Sequence, residues 1–192
     1  MISKEQVRQS KILHTLQILS SSKIFWITAF AILTALSAQV AIPAKPVPFT
    51  LQTLLVVLSG AFLGSRNGAY SQFLYLSMGI IGLPVFAQIP DGALGFSRII
   101  GPTGGYLLAF PAAAFLVGFL IEKRKNYWSI VASMFIGELV IVLLGVLHLT
   151  VFYAHSFEEA LKVGAAIFSV WMVVKVFIAA SVYTGISGIK KK

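Results

Sequence analysis

Apolar runs long enough to cross a lipid bilayer fill most of this chain, and they constrain its fold more than any motif does. A span needs about 20 mainly apolar residues to cross roughly 30 Å of hydrocarbon, and a helix keeps its backbone hydrogen bonds internal there. Six such runs can be drawn, at approximately 24–42, 51–64, 67–83, 104–121, 128–149 and 162–188. The second and third are short, and Gly64-Ser65-Arg66-Asn67-Gly68 is the expected turn between them. With 58% apolar and 11% charged residues, the chain lacks the charged surface of a soluble domain. The sequence therefore predicts an all-α integral membrane protein, a bundle of six transmembrane helices with a long structured outer loop between helices three and four. Residues 1–23 are expected to form a cytoplasmic or interfacial segment, 24–189 a single membrane domain and 190–192 a basic cytoplasmic tail.

An even number of spans places both termini on one side, and Lys and Arg accumulate in short cytoplasmic loops. Lys4, Arg8, Lys11, Lys23, Arg66, Lys123, Arg124, Lys125, Lys190, Lys191 and Lys192 fall on the terminal side, against Lys45, Arg98 and Lys162 on the other. Both termini are thus expected to be cytoplasmic. The net charge of +9 follows from that topology and from attraction to anionic membrane lipid, so nucleic-acid binding is not needed to explain it. Val7, Ile12, Leu13, Leu16 and Leu19 give the N-terminal segment a modest apolar stripe, which suits an interfacial helix. The apolar run after it is longer than the usual core of a cleaved signal peptide.

The polar chemistry is concentrated in two Gly/Pro-rich segments. The first, Ile42-Pro43-Ala44-Lys45-Pro46-Val47-Pro48-Phe49-Thr50-Leu51-Gln52-Thr53, carries three prolines that stiffen an extended path before the second span. Thr50 stands where a helix N-cap is expected, so its hydroxyl serves either a backbone donor or a ligand, and Gln52 is a candidate polar contact. The second, from about Pro84 to Thr103, carries Gln88, Asp91, Ser97, Arg98 and Thr103 among glycines, with Val85, Phe86, Ile89, Leu94 and Phe96 keeping it partly apolar. That mixture predicts a lid or re-entrant cap over the outer mouth of the bundle, the alternative being an ordinary long connector. Gly101-Pro102-Thr103-Gly104-Gly105-Tyr106 leads into the fourth span, where backbone N–H groups at a helix start are able to face an anionic or carbonyl group.

Inside the spans, Glu138 and Lys175 carry charge, at a cost of about 2.5–3.5 kcal/mol or more each at the bilayer centre. They either neutralise one another between helices five and six, or Lys175 awaits a substrate carboxylate. His148, near the outer end of the fifth span, reads as an interfacial histidine with a satisfied hydrogen bond. Ala31, Ala35 and Ala38, with Ala29, Thr34 and Ser37, make small faces on the first helix that pack against this chain's own helices or another subunit. No thiolate metal site is possible without cysteine, and His14, His148 and His155 have no metal-ligand spacing, which argues against an intramembrane enzyme. No G-x-x-x-x-G-K-[ST] loop is present to hydrolyse ATP, and no line of polar residues runs through several spans as an ion-coupled carrier or channel would need.

The succession Ile42-Pro43, then Pro46-Val47-Pro48-Phe49-Thr50-Leu51-Gln52-Thr53-Leu54, then Gly79-Ile80-Ile81-Gly82-Leu83-Pro84-Val85-Phe86-Ala87, then Gly101-Pro102-Thr103-Gly104-Gly105-Tyr106 strongly resembles the BioY family. That family comprises the biotin-binding S components of energy-coupling-factor (ECF) transporters. The resemblance implies a six-helix protein of the bacterial cytoplasmic membrane that captures biotin from outside. It also implies partners, a transmembrane coupling protein and two ATPase subunits, so that ATP enters only through them and the chain needs no cofactor. The alanine-rich first helix resembles the surface that meets the coupling protein, which favours a partner role for Ala31 and Ala35. A secondary carrier, or an S component for a related small carboxylated vitamin or precursor, is the alternative.

The last third of the chain departs from the family pattern. Members typically carry an acid three residues before the intramembrane lysine, and here Met172 occupies that place while Lys175 is retained. Biotin presents two ureido N–H donors, a carbonyl and a tail carboxylate, and each buried donor left unpaired costs about 1–3 kcal/mol. Gln88 and Asp91 are the available acceptors in the outer loop, Arg98 or Lys175 supplies the cation, and Phe86 and Tyr106 supply apolar wall. Together with Thr50, Gln52 and Thr103 these are the expected substrate-binding residues.

Overall fold

The computed structural model describes residues 21–42, 46–88, 94–152, 156–164 and 168–188. Among them run α1 (Lys23–Gln39), β1 (Ala41–Ile42), β2 (Phe49–Thr50), α2 (Gln52–Ile80), α3 (Ser97–Ile100), α4 (Gly104–Lys123), α5 (Tyr127–Phe152), α6 (Phe157–Gly164) and α7 (Phe168–Ile186). Among the described residues the fold is all-α apart from one short ribbon, in which Ala41 pairs with Thr50 and Ile42 with Phe49, antiparallel. The N-terminal segment and the basic tail expected at either end lie almost wholly outside the described residues.

The 29 helical residues of α2 do not form one straight rod. Gly64 adopts φ 78° and ψ 175°, a conformation open to glycine and strained for any other residue, and the chain reverses there. The reversal is visible in the contacts: Gln72 Nε2 lies 3.1 Å from Ser59 Oγ, whereas thirteen residues of straight helix would separate them by roughly 20 Å. The two arms approach so closely that a Cβ on Gly68 would sit 2.7 Å from the Gly60 Cα. The division expected between the second and third runs is therefore real but tighter than the sequence suggests, because Ser65–Gly68 are already helical. On the neighbouring helix, Glu122 closes the turn by accepting from the Ser65 backbone N–H at 2.8 Å.

Further boundaries move. The first helix ends at Gln39, and residues 41–42 join the ribbon instead of extending it. The third run ends as helix at Ile80, where Gly82 at φ 99° turns the chain. The expected sixth span over 162–188 is two helices: α6, amphipathic and closing on a buried Gly164, and the apolar α7. Lys162 belongs to α6, where its Nζ pairs with Glu158 Oε1 at 2.6 Å on the exposed side.

Packing is continuous around α2 and α4. One core cluster joins Tyr75, Phe86, Tyr106, Phe110 and Ile141 with Ala31 and Ala35, and a second joins Val57, Ile130, Met134, Val176 and Tyr183. Among the described residues two helices, α4 and α5, are long and apolar enough to cross a membrane, and α1 and 170–186 are shorter apolar helices. Many large apolar side chains point outward, Leu36, Phe73, Leu143 and Val170 among them, as the surface of a lipid-embedded protein does.

Ala31 and Ala35 are 0% and 9% exposed within this packing. The small face of α1 is consumed by the chain's own helices, because Gln72 reaches across to Thr34 Oγ1 at 3.3 Å and draws α1 onto α2. The partner reading of Ala31 and Ala35 is thereby left without an exposed surface, and the outward side of α1 is Ile32, Leu33 and Leu36.

Candidate functional site

A cavity of about 420 Å³, its open mouth included, lies where the start of α2, the outer loop and the start of α4 converge. Its walls are mostly apolar, from Val47, Pro48, Phe86, Ala87, Tyr106, Leu107 and Phe110. Its polar groups come from Thr50, Gln52, Thr53, Arg98 and Thr103. A concave, largely apolar pocket with a few convergent polar groups is the usual form of a small-molecule site. Six residues singled out from the sequence, Thr50, Gln52, Phe86, Arg98, Thr103 and Tyr106, thus meet around one space.

Local chemistry explains how each is placed. Thr50 Oγ1 accepts from the Gln52 backbone N–H at 3.3 Å and donates to Gln52 Oε1 at 2.9 Å, so it serves the helix start and orients the amide at once. Gln52 Nε2 donates to Tyr75 Oη at 2.5 Å, and the Tyr75 hydroxyl donates to the Val85 carbonyl at 3.3 Å. This relay ties the ribbon to both arms of α2 and to the outer loop. Phe86 is wedged edge-on against the Tyr75 ring, with centroids 5.5 Å apart, and fills the space beside Gly79. Tyr75 was not evident from the sequence, where a tyrosine in an apolar run carries no signal; the reversal at Gly64 brings it opposite Gln52.

Arg98 is 3% exposed on the single turn of α3, and its Nη2 donates to the Ala87 carbonyl. Thr103 is 7% exposed, and its Oγ1 has no hydrogen-bond partner among the described residues while lining the cavity. A buried hydroxyl in that state calls for a water or ligand partner from the cavity. Tyr106 is clamped: a Cβ on Gly145 would lie 2.3 Å from its ring, one on Gly164 would lie 2.4 Å from its hydroxyl, and that hydroxyl donates to the Gly164 carbonyl at 3.2 Å.

Not every expected residue borders this cavity. Gln88 is exposed and does not line this cavity, since the chain turns its neighbours Phe86 and Ala87 inward instead. Asp91 lies outside the described residues. The glycines opening α4 are filled from within: a Cβ on Gly104 would meet the Ile99 carbonyl at 1.7 Å and one on Gly105 would meet His148 at 2.2 Å. They allow close packing at this helix start, where the Gly104 N–H donates to the Gly101 carbonyl at 3.0 Å. His148 Nε2 lies 3.1 Å from the Gly101 carbonyl, the satisfied histidine the sequence suggests.

A second cavity of about 610 Å³, mouth included, adjoins the first at Thr50. Val40, Ala41, Ile42, Phe49, Leu51 and Trp171 line it, and Lys175 is its charged group. Lys175 is 3% exposed; its Nζ donates to Thr53 Oγ1 and lies 3.8 Å from Glu138 Oε1. Both sequence readings of Lys175 therefore meet in one place, since it is paired with Glu138 and also borders a cavity. Thr53 and Trp171 were missed from the sequence, Thr53 because its contact with Lys175 spans 122 residues.

Residues 8–192 match the BioY family. A biotin transporter BioY of Thermotoga maritima is 40% identical over 151 residues, covering 79% of this chain and 87% of that protein. A probable biotin transporter BioY of Pyrococcus horikoshii is 34% identical over 170 residues, covering 88% of this chain and 99% of that protein. The crystal structure of the S-component for biotin from an ECF-type ABC transporter superposes with a TM-score of 0.79 at 21% identity, covering 88% of this chain and 92% of that one.

Proposed function

Because the chain belongs to the BioY family, we propose that it captures biotin at the outer face of the bacterial cytoplasmic membrane and delivers it inward. The observation that carries this reading is the first cavity, where Arg98 and Thr103 stand among apolar walls from Phe86, Tyr106 and Phe110. Such a lining suits a ligand with an apolar bicycle, a flexible apolar tail and polar groups at both ends. Arg98 and Lys175 are the cations for the tail carboxylate and the ureido carbonyl, and Gln52, Thr50 and Thr103 are the neutral hydrogen-bonding groups.

Six membrane crossings are counted as α1, the two arms of α2, α4, α5 and α7. α4 runs from the cavity end at Gly104 to Lys123, and the Lys123-Arg124-Lys125 cluster follows it, which supports a cytoplasmic placement for that end and for both termini. Delivery is driven by a separate transmembrane coupling protein with two ATPase subunits, and ATP acts only there. The chain itself is a binding subunit, not an enzyme.

Equilibrium binding of biotin to the purified protein, with dethiobiotin and a biotin amide as competitors, tests the reading. Saturable biotin binding that the amide displaces poorly supports capture with a cation at the tail. A folded sample that ignores biotin and binds another small carboxylated vitamin assigns the chain to that substrate, with Met172 as the relevant change.

A further inference from the structure

Glu138 is 0% exposed in the middle of α5, and neither of the two cavities is lined by it. Thr53 borders the first cavity, Lys175 borders the second, and Lys175 Nζ donates to Thr53 Oγ1. With Glu138 Oε1 3.8 Å from the same ammonium, the three side chains form one cluster between the cavity walls and the bundle interior. Thr53 and Lys175 are the members that border a cavity, and the carboxylate stands behind them.

A lysine head on a flexible four-carbon stem does not fix its own position, and an ammonium in a low-dielectric interior needs a counter-charge. α7 does not provide one nearby: Met172, one turn before Lys175 and buried like it, presents a thioether. The counter-charge comes instead from the neighbouring helix.

From this geometry we infer that Glu138 is a positioning residue of the capture site. It holds the Lys175 ammonium at the boundary of the two cavities, where the ammonium meets an acceptor or anionic group of the ligand, and it acts without touching the ligand itself. The inference rests on the biotin reading above.

The test is equilibrium biotin binding to the full-length purified protein and its variants, with thermal melting in the same detergent. Glu138→Gln keeps the shape and removes the charge, and affinity is expected to fall by at least about tenfold, the lower range for losing a charge-assisted contact. Glu138→Asp keeps the charge and is expected to bind between wild type and Glu138→Gln. Adding Met172→Asp to Glu138→Gln places a carboxylate one helical turn from the same ammonium. That double variant is expected to recover affinity to within about threefold of wild type, a residual difference below about 1 kcal/mol. A structural role alone would restore melting without restoring binding, and that pattern overturns the inference. So does folded Glu138→Gln that binds within about twofold of wild type, or Glu138→Asp no better than Glu138→Gln. Absence of biotin binding by the folded wild-type protein overturns the transport reading and this inference together, whereas wild-type binding with an indifferent Glu138→Gln overturns this inference alone.

Discussion

Gly145→Ala adds one methyl group, and the structure assigns it a definite cost. The new Cβ would sit 2.3 Å from two ring carbons of Tyr106, whereas carbon atoms rest at about 3.5–4.0 Å, so the ring must retreat by more than about 1 Å. It cannot retreat freely, because its hydroxyl is held 3.2 Å from the Gly164 carbonyl and Gly164 closes the other side. Overpacking of this kind costs about 1–3 kcal/mol, and losing the hydroxyl bond adds about 1 kcal/mol. Alanine returns up to about 1 kcal/mol through helix propensity, leaving a net loss of about 1–3 kcal/mol. Tyr106 also forms cavity wall, so biotin affinity falls along with the melting temperature. Gly185→Ala is the internal control: a Cβ there meets nothing within 4 Å, so the same substitution is expected to leave melting unchanged or raise it. Thermal melting and biotin titration of both variants decide the matter. A Gly145→Ala protein that melts and binds like wild type would refute the clamp on Tyr106.

Lys175→Ala is expected to weaken biotin binding far more than Lys162→Ala, because Lys162 makes only an exposed i,i+4 pair with Glu158 worth about 0.3–0.5 kcal/mol; equal effects in a binding titration would remove Lys175 from the site. Tyr75→Phe leaves the buried Gln52 amide without its acceptor, a loss of about 1–3 kcal/mol, and should lower both melting temperature and biotin affinity while the ring stacking persists. Thr103→Val removes a buried hydroxyl that has no partner within the described fold, so melting should hold or rise while biotin affinity drops; an unchanged affinity would take Thr103 out of the site. Glu122→Ala removes the acceptor for the Ser65 N–H at the turn, and scanning calorimetry should show a destabilisation of about 1 kcal/mol with biotin affinity little changed.

The sequence alone determined the class of fold and the neighbourhood of the site. Apolar run length fixes helices because a backbone in lipid has no other partners, and Gly/Pro-rich segments with polar side chains stand out against such a background. Thr50, Gln52, Phe86, Arg98, Thr103 and Tyr106 all belong to such segments, and all six border the first cavity. Tertiary structure decided which groups face one another. The reversal at Gly64 sets Tyr75 against Gln52, and the packing of α5 and α7 on each other and on α2 sets Glu138 beside Lys175 and Thr53. It also turned Ala31 and Ala35 inward and Gln88 outward. Periodicity reports that a helix has a small or polar face, but which neighbour covers that face depends on contacts between residues far apart in the chain, and these exist only once the bundle has closed.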